Sequence, residues 1–212
     1  MKLYYITGSC SLAVRILMNE LKINCEKIQL HKKRYGDGYK VYTQDLISYE
    51  DDINSKNAVP LLVLDDGREL SEASVILQYL ADNYEGEHCV PQNGSFERYK
   101  VQEWLNYIAS ELHKNLTLIF YKDDYPEGSG LLFMKHADKK LSFLDSHLST
   151  HDNLSGDFSI ADIYMFVVLS WHQYIGIDLK AYKNIVRYYN GILRRESVIK
   201  SLGDEGLKYK SI

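Results

Sequence analysis

The sequence predicts an α/β unit followed by an all-helical unit, and three observations carry that prediction. Strand-like and helix-like stretches alternate over residues 1–83, and then the strands stop. Residues 84–94 follow as a turn-rich linker containing one of only three prolines in the 212-residue chain. Residues 95–212 hold long apolar periodicities of helical spacing and no convincing strand.

The stretch "KLYYI" (Lys2–Ile6) reads as a strand. In "SLAVRILMNELK", Leu12, Val14, Ile16, Leu17 and Leu21 recur at helical spacing. "CEKIQL" alternates and reads as a second strand. Residues 31–57 are polar and rich in Tyr, Asp and Lys, which predicts a long loop with one short helix near Tyr42–Tyr49. A loop of that length inside a domain is often functional. Its basic run, His31-Lys32-Lys33-Arg34, reads as solvated. In "VPLLVLDDGREL" two apolar runs flank an Asp-Asp-Gly turn, which predicts a β-hairpin. "SEASVILQYLADNY" follows as a helix with Ser71 as its expected cap.

The second half opens with "FERYKVQEWLNYIASELHKNLTLIFY", expected as one long amphipathic helix with Trp104, Leu105, Ile108 and Leu112 toward a core. Residues 129–149, 159–175 and 181–201 predict further helices of a bundle. In "FSIADIYMFVVLSW", Ser159 followed three residues later by Asp162 has the form of a capping box, with Asp in place of Glu or Gln. The run after it is too apolar for a surface helix, so this helix is expected at the centre. Asp162 is accordingly read as structural.

Composition narrows the function. The net charge of −4 argues against nucleic acid as an electrostatic partner. No apolar run approaches the ~18 residues of a membrane span, and no signal-type apolar region opens the chain, so no secretory signal is expected. Cys10, Cys25 and Cys89 are odd in number and widely spaced, which suits free thiols in a reducing cytoplasm. They lack zinc-ligand spacing, and the His147/His151 pair has no evident third ligand, so no metal is expected.

The chemistry-bearing stretch is "GSCSLAVR" (Gly8–Arg15), a strand-to-helix turn with Cys10 at the junction. Unpaired amides and the positive dipole end at a helix start favour a thiolate and lower its pKa. A buried structural cysteine is the competing reading. Ala13 stands where the second cysteine of a CxxC dithiol would be, so a reactive Cys10 needs an external thiol and a mixed disulfide. Val59-Pro60 precedes a strand. A cis peptide there would turn the Val59 backbone toward an extended peptide; an ordinary trans proline on an edge strand is the alternative. Glu72-Ala73 opens the next helix, whose amides suit a carboxylate while Glu72 suits an ammonium. The alternative is an acidic residue that merely complements the dipole. Together these features describe a peptide site with a thiol at one end and an amino-acid clamp at the other, which matches what glutathione requires.

In these motifs the sequence resembles the glutathione transferases, in particular the bacterial beta class. "KLYY…GSCSL" is similar to that class's cysteine signature. "INSKNAVPLLVLDDGRELSEASVILQYLAD" resembles its proline and γ-glutamyl clamp segment, "ERYKVQEWLNYIASELHK" the first long helix of its second domain, and "DFSIADIYMFVVLSW" its helical capping box. The resemblance implies a thioredoxin-like N-terminal domain plus an all-α C-terminal helical domain. It implies Cys10, Ser11 and His113 as catalytic residues. It implies glutathione contacts from Lys33, Val59, Pro60, Glu72, Ala73, Asn106 and Lys114, and an electrophile pocket of Tyr107, Phe120 and Trp171. Asn106 and His113 are seven apart and are expected on one helix face.

The activity implied is a cytoplasmic, homodimeric glutathione transferase. Glutathione is its co-substrate, a hydrophobic electrophile or a disulfide its second substrate, with Cys10 able to form a mixed disulfide with glutathione, and no cofactor is permanently bound. A non-catalytic binding protein on the same fold and a glutaredoxin-like thiol oxidoreductase are the alternatives; retention of Cys10, Val59-Pro60 and Glu72 favours the enzyme. The chain departs from the family pattern at Thr7, where proline is common, at Ala73, where Ser or Gly is usual, and at "NSKNAVP", which lacks a Pro and a Gly.

Overall fold

Leu3 and Tyr5 point inward from Lys2–Tyr5 (β1) in the computed structural model, which describes residues 1–35 and 38–212 and only the backbone of residues 34, 35 and 38. Ser11–Glu20 (α1) crosses back over the sheet, so Glu26–Tyr35 (β2) pairs parallel with β1. Leu61–Val63 (β4) pairs antiparallel on the other side of β1, and Glu69–Ser71 (β5) closes the hairpin expected at Asp65-Asp66-Gly67. With Gly38–Thr43 (β3) on the outer edge, the five strands run in the order β3-β2-β1-β4-β5. Ala73–Asn83 (α3) packs beside α1. This is the thioredoxin-like arrangement that the resemblance implies.

Residues 31–57 differ from the expected long loop. The strand of "CEKIQL" runs on through His31–Tyr35 and turns back as β3, with Leu30 opposite Thr43 and Lys32 opposite Val41. The short helix falls at Tyr49–Asp52 (α2), capped by Ser48, whose side chain accepts from the Asp51 N–H. The basic run is therefore strand, and His31, Lys32 and Lys33 are all exposed. A strand polar on both faces shows no period-two apolar signal, which is why composition mimics a loop. Ser71 likewise ends β5 and does not cap α3. Glu72 occupies the cap with φ 72° and no side-chain capping bond.

After β5 the chain is helical, and the helices are shorter than the periodicity predicts. Phe96–Tyr107 (α4) and Lys114–Phe120 (α5) are joined by a π-helical segment, Ile108–His113. Ser129–Leu148 (α6) follows. Residues 159–175 divide into Ile160–Ser170 (α7) and His172–Ile175 (α8) at Trp171. Residues 181–201 divide into Lys183–Leu193 (α9) and Glu196–Asp204 (α10). Among the described residues no helix is long and apolar enough to cross a membrane.

Polar anchors fix the segment between the halves. Arg98, 2% exposed, donates to both oxygens of Asp82 at 2.7 and 2.8 Å and to the Pro91 carbonyl at 3.3 Å, tying α3 to α4 across the expected linker. The Cys89 carbonyl in that segment accepts from the Ile160 N–H at 2.9 Å, which fixes the start of α7. Every residue of α7 is buried, and its capping box is formed. Asp162 accepts from the N–H groups of Ser159 (2.8 Å) and Leu154 (2.9 Å) and from the hydroxyls of Ser159 (3.0 Å) and Tyr188 (2.8 Å). Burial pushes its pKa up, and these donors oppose that shift.

Removing Asp162 would strand several buried donors at once, each worth about 1–3 kcal/mol when unsatisfied. Asp162→Ala is expected to lower the unfolding free energy by at least about 3 kcal/mol. Urea denaturation of the variant against the parent chain measures this.

Candidate functional site

The site is built from the turn between β1 and α1 upward. Gly8 takes φ +71°, a conformation that L side chains avoid. It gives its N–H to Glu205 at 2.8 Å, and its carbonyl accepts the Trp171 indole N–H at 2.9 Å. Two residues on, Cys10 occupies the N-cap of α1. Its thiol donates to the Val59 carbonyl at 3.2 Å, across a cis Val59–Pro60 peptide. The approach to Val59 is fixed by the Ala58 carbonyl, which accepts from the Tyr49 hydroxyl (2.7 Å) and the Asn54 side-chain amide (3.0 Å).

Cys10 opens onto a cavity of about 660 Å³ between the sheet and the helices. The helical half contributes His113, Thr117 and Phe120 from one face of the rod, with Trp171 beside them. The sheet half contributes Ser9, Lys32 and Val59.

The electrostatics differ from the expected activated thiolate. Burial pushes the Cys10 thiol up to about 12, the Glu72 carboxylate adds to the shift, and the amides of the helix start oppose it without prevailing. The bond to Val59 further favours the protonated form. Cys10 is therefore a thiol at rest, 8% exposed, and the helix dipole is outweighed by desolvation. His113 is also kept neutral, since burial lowers its pKa to about 4.

The remaining sequence-predicted residues divide. Ser11 is fully buried, and its hydroxyl bonds the Ile6 N–H and carbonyl at 3.2 and 3.0 Å; the neighbouring Ser9 faces the cavity instead. Lys33 lies over the Tyr42 ring, while Lys32, on the opposite side of the pleat, lines the cavity and donates to the Tyr121 hydroxyl at 2.9 Å. Pro60 and Ala73 are buried, and Glu72 is exposed at the head of α3. Phe120 and Trp171 line the cavity as expected, but Tyr107 does not. It lies in a separate cleft of about 570 Å³ with Trp104, Phe143 and the His147/His151 pair.

Asn106 and Lys114 are exposed and away from the cavity. The π-helical turn between Asn106 and His113 accounts for Asn106: widening the helix by a residue breaks the seven-residue phase that puts both on one face. Lys114, one residue past His113, falls about 100° round the helix from it. Tyr164 was also missed; it sits within an apolar run that reads as core, and its hydroxyl contacts His113 Nδ1 at 2.6 Å. The period-two alternation of β2 distinguishes Lys32 from Lys33 once those residues are known to be strand.

The rings of His147 and His151 stack 4.2 Å apart, and their nitrogens contact backbone carbonyls. Among the described residues, one group of three possible metal ligands comes together, Glu20, His88 and Cys89, with ligand atoms within 4.8 Å of one another. Glu20 there already pairs with the Arg195 guanidinium, so the cationic slot is filled by protein.

The chain matches the family models described as glutathione S-transferase, N-terminal domain, over residues 3–88 and glutathione S-transferase, C-terminal domain, over residues 107–196. It is 36% identical to glutathione S-transferase GstA of Escherichia coli O157:H7, across 98% of this chain and all of that protein. Among solved structures it resembles BphK, a bacterial GST captured in a ternary complex (TM-score 0.87, 38% identity, 98% of this chain and all of that one). It also resembles a sphingomonad glutathione S-transferase complexed with glutathione (TM-score 0.86, 31% identity, the same coverage) and a bacterial beta-class enzyme of Sphingomonas chungbukensis (TM-score 0.88, 31% identity, the same coverage).

The depressed His113 pKa sets a pH window. Unfolded, this histidine takes a proton near 6.5; folded, it does so near 4. Between those values the unfolded chain binds more protons, so stability falls as pH falls. The urea midpoint of the parent chain is expected to drop more between pH 7 and pH 5 than that of His113→Gln. Parallel pH dependences would show that His113 is not held neutral.

Proposed function

The chain belongs to the glutathione S-transferase family, and from that premise we propose that the Cys10 cavity takes glutathione and directs its thiolate at a hydrophobic electrophile or a disulfide. The observation that carries the proposal is the convergence of Cys10, Val59 and His113 on one cavity walled by Phe120 and Trp171. In this reading Val59 pairs with the cysteinyl backbone of the tripeptide. Glu72 takes the γ-glutamyl ammonium, the Ala73 amide takes its carboxylate, and Lys32, in place of Lys33, meets the glycyl carboxylate.

Two reactions follow from the state of Cys10. In conjugation the glutathione thiol gives up its proton to water, its sulfur is stabilised by the amides at the head of α1, and the thiolate forms the new C–S bond while the electrophile's leaving group departs with the electron pair of the bond that breaks. Cys10, held as a thiol, is not the nucleophile. In exchange, Cys10 loses its proton and attacks the glutathione sulfur of a disulfide. The S–S bond breaks, a Cys10–glutathione mixed disulfide forms, and the other sulfur leaves as a thiolate. A second glutathione thiolate then attacks that bond, releasing glutathione disulfide and Cys10.

We assign residues 1–83 to the glutathione-binding domain, 84–94 to the linker and 95–212 to the helical domain, and place the protein in the cytoplasm. We also infer a homodimer. Supporting it, Phe96 and Tyr99 are exposed on α4, and Phe143 is exposed on α6 at the open aromatic cleft that holds Trp104 and Tyr107.

The parent chain is expected to bind immobilised glutathione and to elute with free glutathione; flow-through of folded protein would sink the proposal. Cys10→Ala is expected to be retained as well, to keep conjugation of a test electrophile and to lose glutathione-dependent disulfide reduction. Sedimentation should give a dimer for the parent chain and a monomer for Phe143→Glu.

A further inference from the structure

Tyr164 is buried in α7, 2% exposed, and among the described residues its hydroxyl hydrogen-bonds one polar atom, His113 Nδ1, at 2.6 Å. Two proton placements are open. If Nδ1 carried the proton, it would donate to the phenol oxygen, and the phenol hydrogen would lie buried with no acceptor among the described residues. Stranding a buried donor is costly. If the phenol donates, both atoms are satisfied and the histidine proton must reside on Nε2. That nitrogen bonds no protein atom among the described residues and is not among the buried polar atoms without a partner. His113 lines the cavity that Cys10 also lines, and Nε2 is the ring nitrogen not taken up by Tyr164.

We infer that Tyr164 is a positioning residue that locks His113 in the Nε2–H tautomer, turning it into a fixed neutral hydrogen-bond donor facing the cavity. Packing holds the ring in place: Trp171 meets it edge-on at 4.8 Å between centroids, and Tyr164 does so at 5.9 Å. Burial works the same way on both partners, since it raises the phenol pKa and lowers that of the imidazole. Neither partner is ionised at neutral pH, so the proton order Tyr164 O–H to Nδ1, then Nε2–H to the cavity, persists. A donor of fixed direction and no charge suits a sulfur or oxygen on which negative charge grows, with no reorganisation at the moment of reaction. That catalytic consequence rests on the glutathione reading above; the tautomer does not.

The test is long-range 15N–1H correlation on protein labelled with 15N-histidine, with His113→Gln identifying the signal. In the parent chain His113 is expected to show a pyridine-type Nδ1 and a pyrrole-type Nε2. A protonated Nδ1 in the parent chain overturns the inference. In Tyr164→Phe, which preserves the ring, the nitrogen shifts are expected to move toward a tautomer mixture; unchanged shifts overturn it. With glutathione and a test electrophile, Tyr164→Phe should lose roughly tenfold in kcat with KM for glutathione near the parent value. An unchanged kcat removes the catalytic consequence. If the parent chain itself shows no glutathione turnover, the glutathione reading fails while the spectra still decide the tautomer.

Discussion

The cysteine turn is not self-supporting, and the rest of the site depends on how it is held. Gly8 is gripped from both sides by the helical half: its N–H by Glu205 and its carbonyl by the Trp171 indole. Glu205 is itself faced by the buried Arg15 guanidinium at 3.3 Å, which reaches it from α1 and stacks over the Tyr5 ring. The grip thus links β1, α1 and the end of α10 around a single left-handed residue. Loosening it would free the backbone that leads into Cys10, so the position of the thiol is a property of both halves of the chain.

The cavity that results suppresses charge. Cys10 and Tyr164 are pushed up and His113 down, each mainly by loss of water. The two features a short sequence motif advertises, a helix start and a cysteine, are not enough to ionise the thiol when the surroundings are dry.

Much of this was legible in the sequence. The strands β1 and the start of β2, the hairpin at Asp65-Asp66-Gly67, the Ser159–Asp162 capping box and the Cys10 and Val59-Pro60 motifs rest on local chemistry that a few residues encode. What was not legible depended on context. Lys32 was missed because a strand polar on both faces hides its period. Ser11 is buried away from the cavity because its hydroxyl satisfies the Ile6 backbone, a contact across a turn that spacing does not reveal. Asn106 and Tyr107 lie off the cavity because nothing in an amphipathic run announces a π-helical turn, and Lys114 because it falls one residue past His113 on the helix. Tyr164 was missed because an apolar helix conceals a single hydroxyl that has a partner.

The wide turn at Ile108–His113 changes what one rod can do. A helix of uniform pitch is a screw with one thread, and each stripe along it serves a single neighbour from end to end. Here the thread changes midway. Before the change, Trp104 and Tyr107 belong to the outer cleft; after it, His113, Thr117 and Phe120 belong to the inner cavity. Outer and inner surfaces are thereby written on one continuous backbone yet are free to vary apart. A change that suits a new partner on the outside leaves the inner lining in register.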